Sequence, residues 1–197
     1  MSSLSQIPTF INHENVIKFD GRPFVNLDDM NTQLIHNWNN QVTRNDDVYI
    51  LGDFCWMLPK TDEYKDICNQ LKGRKHLILG NHDPRKHLTE LLKYFVSVED
   101  YKEIKYNKQV ILMSHYPILF YRGDYNENFW MLHGHTHQTI EQQYVEQYTQ
   151  EIVNNCNSLT SNRGHIINVG CMMSYMSYTP QPLEVLVNAW TNKYKGE

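Results

Sequence analysis

Residues 76–83 have the sequence His76-Leu77-Ile78-Leu79-Gly80-Asn81-His82-Asp83. Its first half is a short apolar run of the kind that forms a buried strand, and its second half is a cluster of a glycine, an amide, an imidazole and a carboxylate. In open α/β sheets, ligands bind beyond the carboxyl ends of the strands. The stretch therefore predicts a strand that delivers reactive side chains to the edge of a sheet.

The same arrangement of an apolar strand followed by a polar cluster recurs along the chain. The runs at 47–51, 109–113 and 130–132 lead respectively into Gly52-Asp53, into Ser114-His115 and into His133-Gly134-His135-Thr136-His137. Between these runs, apolar residues spaced by four predict amphipathic helices at 27–42, with Asn26 as N-cap, and at 62–72, with Thr61 as N-cap. Alternating strands and helices of this kind predict an α/β fold.

Length and composition limit the organisation of the protein. The chain has 197 residues, so at about 150 residues per domain we predict a single domain over residues 1–197. A Gln- and Glu-rich stretch predicts a helical excursion at about 139–163. With 20% charged residues, a net charge of -4 and no Lys/Arg block, neither non-specific DNA binding nor membrane-surface anchoring is expected.

The apolar runs are far shorter than the roughly 20 residues that cross a bilayer, so no membrane span is expected. The first residues carry no secretory signal pattern. We therefore expect a cytoplasmic protein whose four cysteines are reduced.

The polar clusters together offer a set of metal donors, with one carboxylate, one amide oxygen and three imidazoles: Asp53, Asn81, His115, His135 and His137. This mixture suits a divalent Mn, Fe, Zn or Ni ion and is a poor set for calcium, which prefers oxygen ligands alone. In an extended segment His135 and His137 would face the same side, so one peptide could serve two neighbouring metals.

The residue pair after Asn81 is a candidate for catalysis. Because His82 follows Asn81 directly, its side chain is expected to point away from the metal and toward the substrate. An imidazole can protonate a departing oxygen near neutral pH, and Asp83 is predicted to hold its tautomer. We therefore predict His82 and Asp83 as catalytic residues.

Taken in order, Gly-Asp, Gly-Asn-His-Asp, Ser-His and Gly-His-x-His resemble the motif series of the calcineurin-like metallophosphoesterases. The resemblance runs from about His13 to the tail. It implies a four-layered α/β/β/α sandwich and hydrolysis of a phosphoester by a metal-activated water at a two-metal centre. It further implies that Asp53 bridges the metals, that Asn81, His115 and His135 complete one site, and that His137 belongs to the other.

One motif of that series is missing. The family's Asp-x-His is expected where this chain has Pro8-Thr9-Phe10, so one metal site is complete and the other keeps only Asp53 and His137. Three explanations stay open at this point. The chain is a divergent enzyme with one firm metal or an inactive homologue; His13 or Asp20 replaces the lost ligands; or a reading-frame disturbance has removed the motif, since a shifted frame can encode Ile-Ser-Asp-Thr-His-Phe.

The preferred function is a metal-dependent phosphodiesterase, because no basic pocket for a dianionic monoester is evident. The expected partner is a phosphoester substrate, with a nucleotide as one candidate. The alternative is a catalytically impaired homologue that binds a metal or a nucleotide. Arg22 could bind a substrate phosphate bidentately, and a surface arginine is the competing interpretation. The natural substrate, the metal and the oligomeric state stay open.

Overall fold

The computed structural model describes residues 11–155 and 163–196, and the backbone of residues 4–6. Their fold is mixed α/β, as predicted. The helices are α1 (Asn15–Phe19), α2 (Leu27–Gln41), α3 (Asp62–Gln70), α4 (Leu88–Leu91), α5 (Ile140–Asn154) and α6 (Leu183–Lys195). The strands are β1 (Leu4–Gln6), β2 (Asp47–Ile50), β3 (Arg74–Ile78), β4 (Ser97–Glu99), β5 (Tyr101–Tyr106), β6 (Gln109–Ser114), β7 (Phe129–His133), β8 (Ile166–Asn168) and β9 (Gln181–Pro182).

The strands form two sheets. One has the order β4-β3-β2-β1-β9, in which β1 to β4 are parallel and β9 is antiparallel to β1. The other has the order β5-β6-β7-β8, in which β6 to β8 are parallel and β5 is antiparallel. The four strands that carry the predicted site are therefore two parallel neighbours in each sheet: β2 and β3, and β6 and β7.

The two sheets share one hydrophobic core. Ile50 and Leu77 of the first sheet belong to the same buried cluster as Met113 and Leu132 of the second, together with Trp38 of α2. Alternate residues of β6 face the other way, into a smaller cluster with α5. Since successive side chains of a strand point to opposite faces, β6 is buried on both sides. This burial fixes the position of the backbone that leads into His115.

The helix starts predicted from the sequence are confirmed. The Asn26 side chain accepts a hydrogen bond from the Asp29 N–H (2.9 Å), and Thr61 accepts one from the Tyr64 N–H (3.3 Å). Helix α5 lies inside the stretch predicted as a helical excursion, of which residues 156–162 lie outside the described part of the chain.

Three of the four cysteines can be assessed: Cys55, Cys68 and Cys171 are buried free thiols, and Cys156 lies outside the described residues. Within the described ranges, no helix has both the length and the hydropathy that a membrane span requires.

Candidate metal centre

The loop after β2 places Asp53 at the centre of the site. Asp53 has a left-handed backbone (φ 52°), and its carboxylate is nearly inaccessible, with 2% of the side chain exposed. The neighbouring Gly80 allows the close approach of the β3 loop, because a Cβ there would collide with Asp53 Oδ1. Non-glycine residues in this backbone region carry strain of order 1–3 kcal/mol, which is typical of functional sites.

Asp83 joins the two loops of the first sheet. Its carboxylate is buried and accepts three backbone hydrogen bonds, from the N–H groups of Gly80 (2.8 Å), Asp53 (2.8 Å) and Phe54 (3.1 Å). The prediction that Asp83 holds the His82 tautomer is therefore wrong, since both of its oxygens serve the backbone. Asp83 instead sets the position of the Asp53 loop relative to the Asn81 loop.

Four predicted ligands meet at one point between the sheets. His115 Nε2 lies 3.0 Å from Asn81 Oδ1, 3.1 Å from His135 Nδ1 and 3.3 Å from Asp53 Oδ2. His135 Nδ1 lies 3.1 Å from Asn81 Oδ1. Among the described residues, Asp53, His115 and His135 form the single cluster of three or more His, Cys, Asp or Glu side chains whose ligand atoms lie within 4.8 Å of one another.

The tautomer of His115 is set by the hydrogen bond of Nδ1, the ring nitrogen that does not face the cluster. Nδ1 donates to the carbonyl of Leu51 (2.8 Å), which leaves the Nε2 lone pair for the cluster. Burial lowers the pKa of His115, but the hydrogen bond and the charge of Asp53 outweigh burial and raise it. Conversely, burial raises the pKa of Asp53, but His115 brings it below its ordinary range. The two groups thus compete for a proton that a bound cation would displace.

The loop after β7 is not extended, which corrects the predicted geometry of His135 and His137. Both residues have left-handed backbones, with φ 55° and φ 45°. The extended geometry assumed for this segment is therefore wrong, although both side chains line one cavity. They have different partners there: His135 Nδ1 faces the cluster, whereas His137 Nδ1 contacts Asp20 Oδ1 at 2.8 Å.

Asp20 and Arg22 form a buried ion pair behind His137. Arg22 Nη2 lies 2.8 Å from Asp20 Oδ2, and the exposed side-chain fractions are 0% for Arg22 and 3% for Asp20. Arg22 is therefore not a surface arginine, and it is occupied by Asp20 instead of facing a substrate. Burial raises the pKa of Asp20, but His137 and Arg22 lower it further than burial raises it. Asp20, considered above only as a replacement ligand, holds the ring of His137.

A buried cluster of polar side chains contacts the loop after β7 that carries His137. Asn168 Nδ2 donates to the carbonyl of His137 (3.1 Å) and to Gln142 Oε1 (2.9 Å), and Thr136 Oγ1 donates to the same oxygen (2.8 Å). Our sequence reasoning did not identify Gln142 or Thr136, because polar residues on a helix and in a loop give no signal until β8 and α5 are packed together.

A cavity of about 360 Å³ opens over the cluster. It is lined by Asp53, His135 and His137 of the predicted set, by His82, and by residues of the first helix region: His13, Asn15, Val16 and Phe19, with Thr139 and Glu141 on the far side. The His82 N–H donates to Asp53 Oδ1 (2.8 Å), and the His82 side chain is exposed toward the cavity. Pro8 and Phe10, at the position of the missing motif, lie outside the described residues.

The donor set fits a divalent cation. Ligand bonds of about 2.0–2.2 Å around a tetrahedral or octahedral ion imply ligand separations of roughly 3.0–3.5 Å. The separations from His115 Nε2, 3.0 to 3.3 Å, fall in that range, and they bring a carboxylate, an amide oxygen and two imidazoles together. Asp53, Asn81, His115 and His135 are therefore the residues that would hold the metal.

Comparison with known proteins gives a consistent result. A family model described as calcineurin-like phosphoesterase matches residues 12–185. An uncharacterized protein of Methanocaldococcus jannaschii is 36% identical over 138 residues, which cover 69% of each chain. The gene 66 protein of Mycobacterium phage D29 is 32% identical over 140 residues, covering 57% of this chain and 68% of the phage protein.

A solved structure extends the similarity to nearly the full chain. The crystal structure of a protein of unknown function from Aquifex aeolicus superposes with a TM-score of 0.67 at 26% identity, covering 96% of this chain and 100% of that one.

Proposed function

The chain belongs to the calcineurin-like phosphoesterase family, a family of metal-dependent phosphoesterases, and on that premise we propose that it hydrolyses a phosphodiester at the Asp53 cluster. The single observation that carries the proposal is the convergence of Asp53, Asn81 and His135 on Nε2 of His115. These side chains come from both sheets, and an assembly of this kind at four strand ends is suited to holding a cation over an open cavity.

The residues of the site would divide the reaction as follows. A divalent cation supplies Lewis acidity toward the phosphoryl oxygens and lowers the pKa of water. Asp53, Asn81, His115 and His135 would hold it, and the Leu51 carbonyl keeps His115 in the tautomer whose Nε2 could bind. His82 lies next to Asp53 on the cavity wall, where its ring can donate a proton to the leaving oxygen.

The charge of the cavity favours a diester over a monoester. In the described part of the chain, the residues that line the cavity include neither lysine nor arginine, and Asp53 and Glu141 add negative charge. Arg22, the candidate phosphate ligand, is paired with Asp20. A monoester dianion would meet only the metal and the imidazoles, whereas a diester carries a single negative charge and needs less compensation.

A second function has its own supporting observation. His137, assigned by the family resemblance to the second metal, is held by Asp20, and the sequence offers Pro8 and Phe10 where two further ligands are expected. These features favour an inactive homologue that binds a metal or a nucleotide without turnover. The two functions differ in one measurable property, which is hydrolysis.

The test combines metal content with turnover. Purified protein is loaded with manganese, metal per chain is determined by elemental analysis, and hydrolysis of bis(p-nitrophenyl) phosphate is followed by p-nitrophenolate release. We expect at least one metal per chain and turnover that disappears on chelation. Asp53→Asn should lose both metal and turnover, whereas His36→Ala, on α2, should keep both. Bound metal without turnover in the wild-type protein would support the binding protein instead.

A further inference from the structure

Large apolar side chains are exposed around the metal centre, although side chains of this size are normally buried. Phe19, which lines the cavity over Asp53, is 69% exposed. Trp56 and Leu58, which line a neighbouring cavity that shares His82, are 50% and 46% exposed. Scattered exposed hydrophobic residues are ordinary, but a group beside a reactive cluster indicates contact with an apolar part of a ligand.

Trp56 is the best-held member of this group. The backbone N–H of Trp56 donates to the carbonyl of Ile11 (3.0 Å), and Ile11 pairs with Cys55 in an isolated parallel bridge. The indole ring contacts two imidazoles, with ring centroids 4.3 Å from His13 in an edge-on arrangement and 4.6 Å from His82 in a tilted one. Backbone and ring are thus both positioned, while half of the side-chain surface stays open to solvent.

The position of Trp56 connects it to the reaction centre. A second cavity, of about 210 Å³, is lined by Trp56, Met57, Leu58 and Pro84, and it shares His82 with the cavity over Asp53. A ligand that places its phosphoryl group near Asp53 and passes His82 therefore reaches an apolar wall with an exposed indole. The two cavities suit a molecule with a charged centre and a flat apolar end.

We propose that the wall formed by Trp56, Met57 and Leu58 is a nucleobase subsite, so that the substrate is a nucleotide phosphodiester whose base stacks on Trp56. This inference rests on the proposed function and adds its substrate class. The described residues of this wall bear no charge, and an indole stacks on any base because every base has a π-face. Leaving-group protonation by His82 would then occur beside the bound nucleoside.

The test compares AMP with ribose 5-phosphate, which has the same phosphate and sugar but no base. Each is titrated as a competitive inhibitor of bis(p-nitrophenyl) phosphate hydrolysis and, independently of turnover, by isothermal titration calorimetry. We expect the wild-type protein to bind AMP at least about tenfold more tightly than ribose 5-phosphate. Trp56→Leu should bring the two within about twofold of each other, and Trp56→Phe should keep part of the preference. Tyr144→Leu, an exposed aromatic on α5, is the matched control and should behave as wild type.

The outcomes separate the two proposals. Equal binding of AMP and ribose 5-phosphate by the wild-type protein, or an AMP preference that survives in Trp56→Leu, overturns the subsite even if hydrolysis is observed. If neither the wild-type protein nor any variant hydrolyses the diester, but the wild-type protein still binds AMP more tightly than ribose 5-phosphate and Trp56→Leu loses this preference, the subsite stands and the proposed hydrolysis fails.

Discussion

Nδ1 of His137 lies 2.8 Å from Oδ1 of Asp20, although the two residues are 117 positions apart in the sequence. The contact links the loop after β7 to the segment between α1 and α2, and Asp20 is in turn neutralised by Arg22. A carboxylate of this kind fixes the tautomer and the orientation of an imidazole. The site therefore includes a supporting pair that none of the family motifs in the sequence contains.

The Asp20–Arg22 pair should be important for stability. Asp20→Asn leaves the charge of a fully buried arginine without its carboxylate, so the free energy of unfolding should fall by about 3–5 kcal/mol. Urea unfolding followed by circular dichroism measures it. The double variant Asp20→Asn/Arg22→Met removes both charges and should recover part of the loss. An Asp20→Asn protein as stable as wild type would show that the pair contributes nothing.

His82 and the metal ligands should be separable by mutation. His82→Ala removes the proposed proton donor and should lower kcat about 100-fold or more. Because the contact of His82 with Asp53 is made by the backbone N–H, which alanine retains, metal content should stay near the wild-type value. Elemental analysis and diester hydrolysis provide the two readouts. A large loss of metal would instead place the His82 side chain among the ligands.

Asp83 should act on structure and metal affinity together. In Asp83→Asn one carboxylate oxygen becomes an N–H₂ group that cannot accept from the backbone, which leaves a buried donor unsatisfied and costs about 1–3 kcal/mol. The variant should also bind manganese more weakly, because the Asp53 and Asn81 loops lose their common anchor. Calorimetric titration with manganese and urea unfolding test the two effects. Unchanged metal affinity would contradict the anchoring role.

Gly80→Ala should remove the metal without unfolding the protein. A Cβ at Gly80 would lie 2.2 Å from Asp53 Oδ1 and 2.6 Å from the Asp53 backbone nitrogen, so both the carboxylate and the backbone of the Asp53 loop must shift. Gly80 does not have positive φ, so the effect should be steric and centred on this loop. Metal affinity should fall at least about tenfold, while far-ultraviolet circular dichroism stays as in wild type. Glu63→Ala, at an exposed position of α3, is the control, and unchanged metal affinity in Gly80→Ala would contradict the steric effect.

The pH dependence of stability should show the burial of His165. The ring lies between Trp130 (4.5 Å) and Trp190 (4.7 Å), and burial lowers its pKa to about 4. The unfolded state, with a pKa of about 6.5, takes up the proton first as pH falls. The stabilisation is therefore complete above about pH 6.5 and is lost progressively as pH falls toward 4, by at most about 3 kcal/mol.

Free energies of unfolding measured between pH 7 and pH 4.5 give the slope of stability against pH. His165→Phe keeps the aromatic packing and removes the titrating group, so its slope should be smaller than that of the wild type. A residual slope is expected from His133, whose buried ring also has a pKa lowered to about 4. Identical slopes in the two proteins would exclude His165 as the source.

Local sequence patterns were sufficient to predict the fold class, the helix starts at Asn26 and Thr61, and the residues that meet at the metal centre. These features depend on local patterns, because apolar periodicity, capping chemistry and polar clusters after strands act over a few residues. Within each sheet, the proximity of Asp53 to Asn81 and of His115 to His135 could be predicted because the carboxyl ends of neighbouring parallel strands share an edge. That the two pairs meet was implied by the family resemblance and not by a local pattern.

The contacts that support those residues became visible in the folded protein and not in the sequence. Asp83 serves three backbone N–H groups, Arg22 is buried against Asp20, and His137 turns toward Asp20 because its backbone is left-handed. The exposure of Trp56 beside His82 is likewise a feature that only the folded protein shows. Each depends on contacts between segments that lie far apart in the chain or on a backbone conformation that the residue types do not specify, so no local pattern could have predicted them.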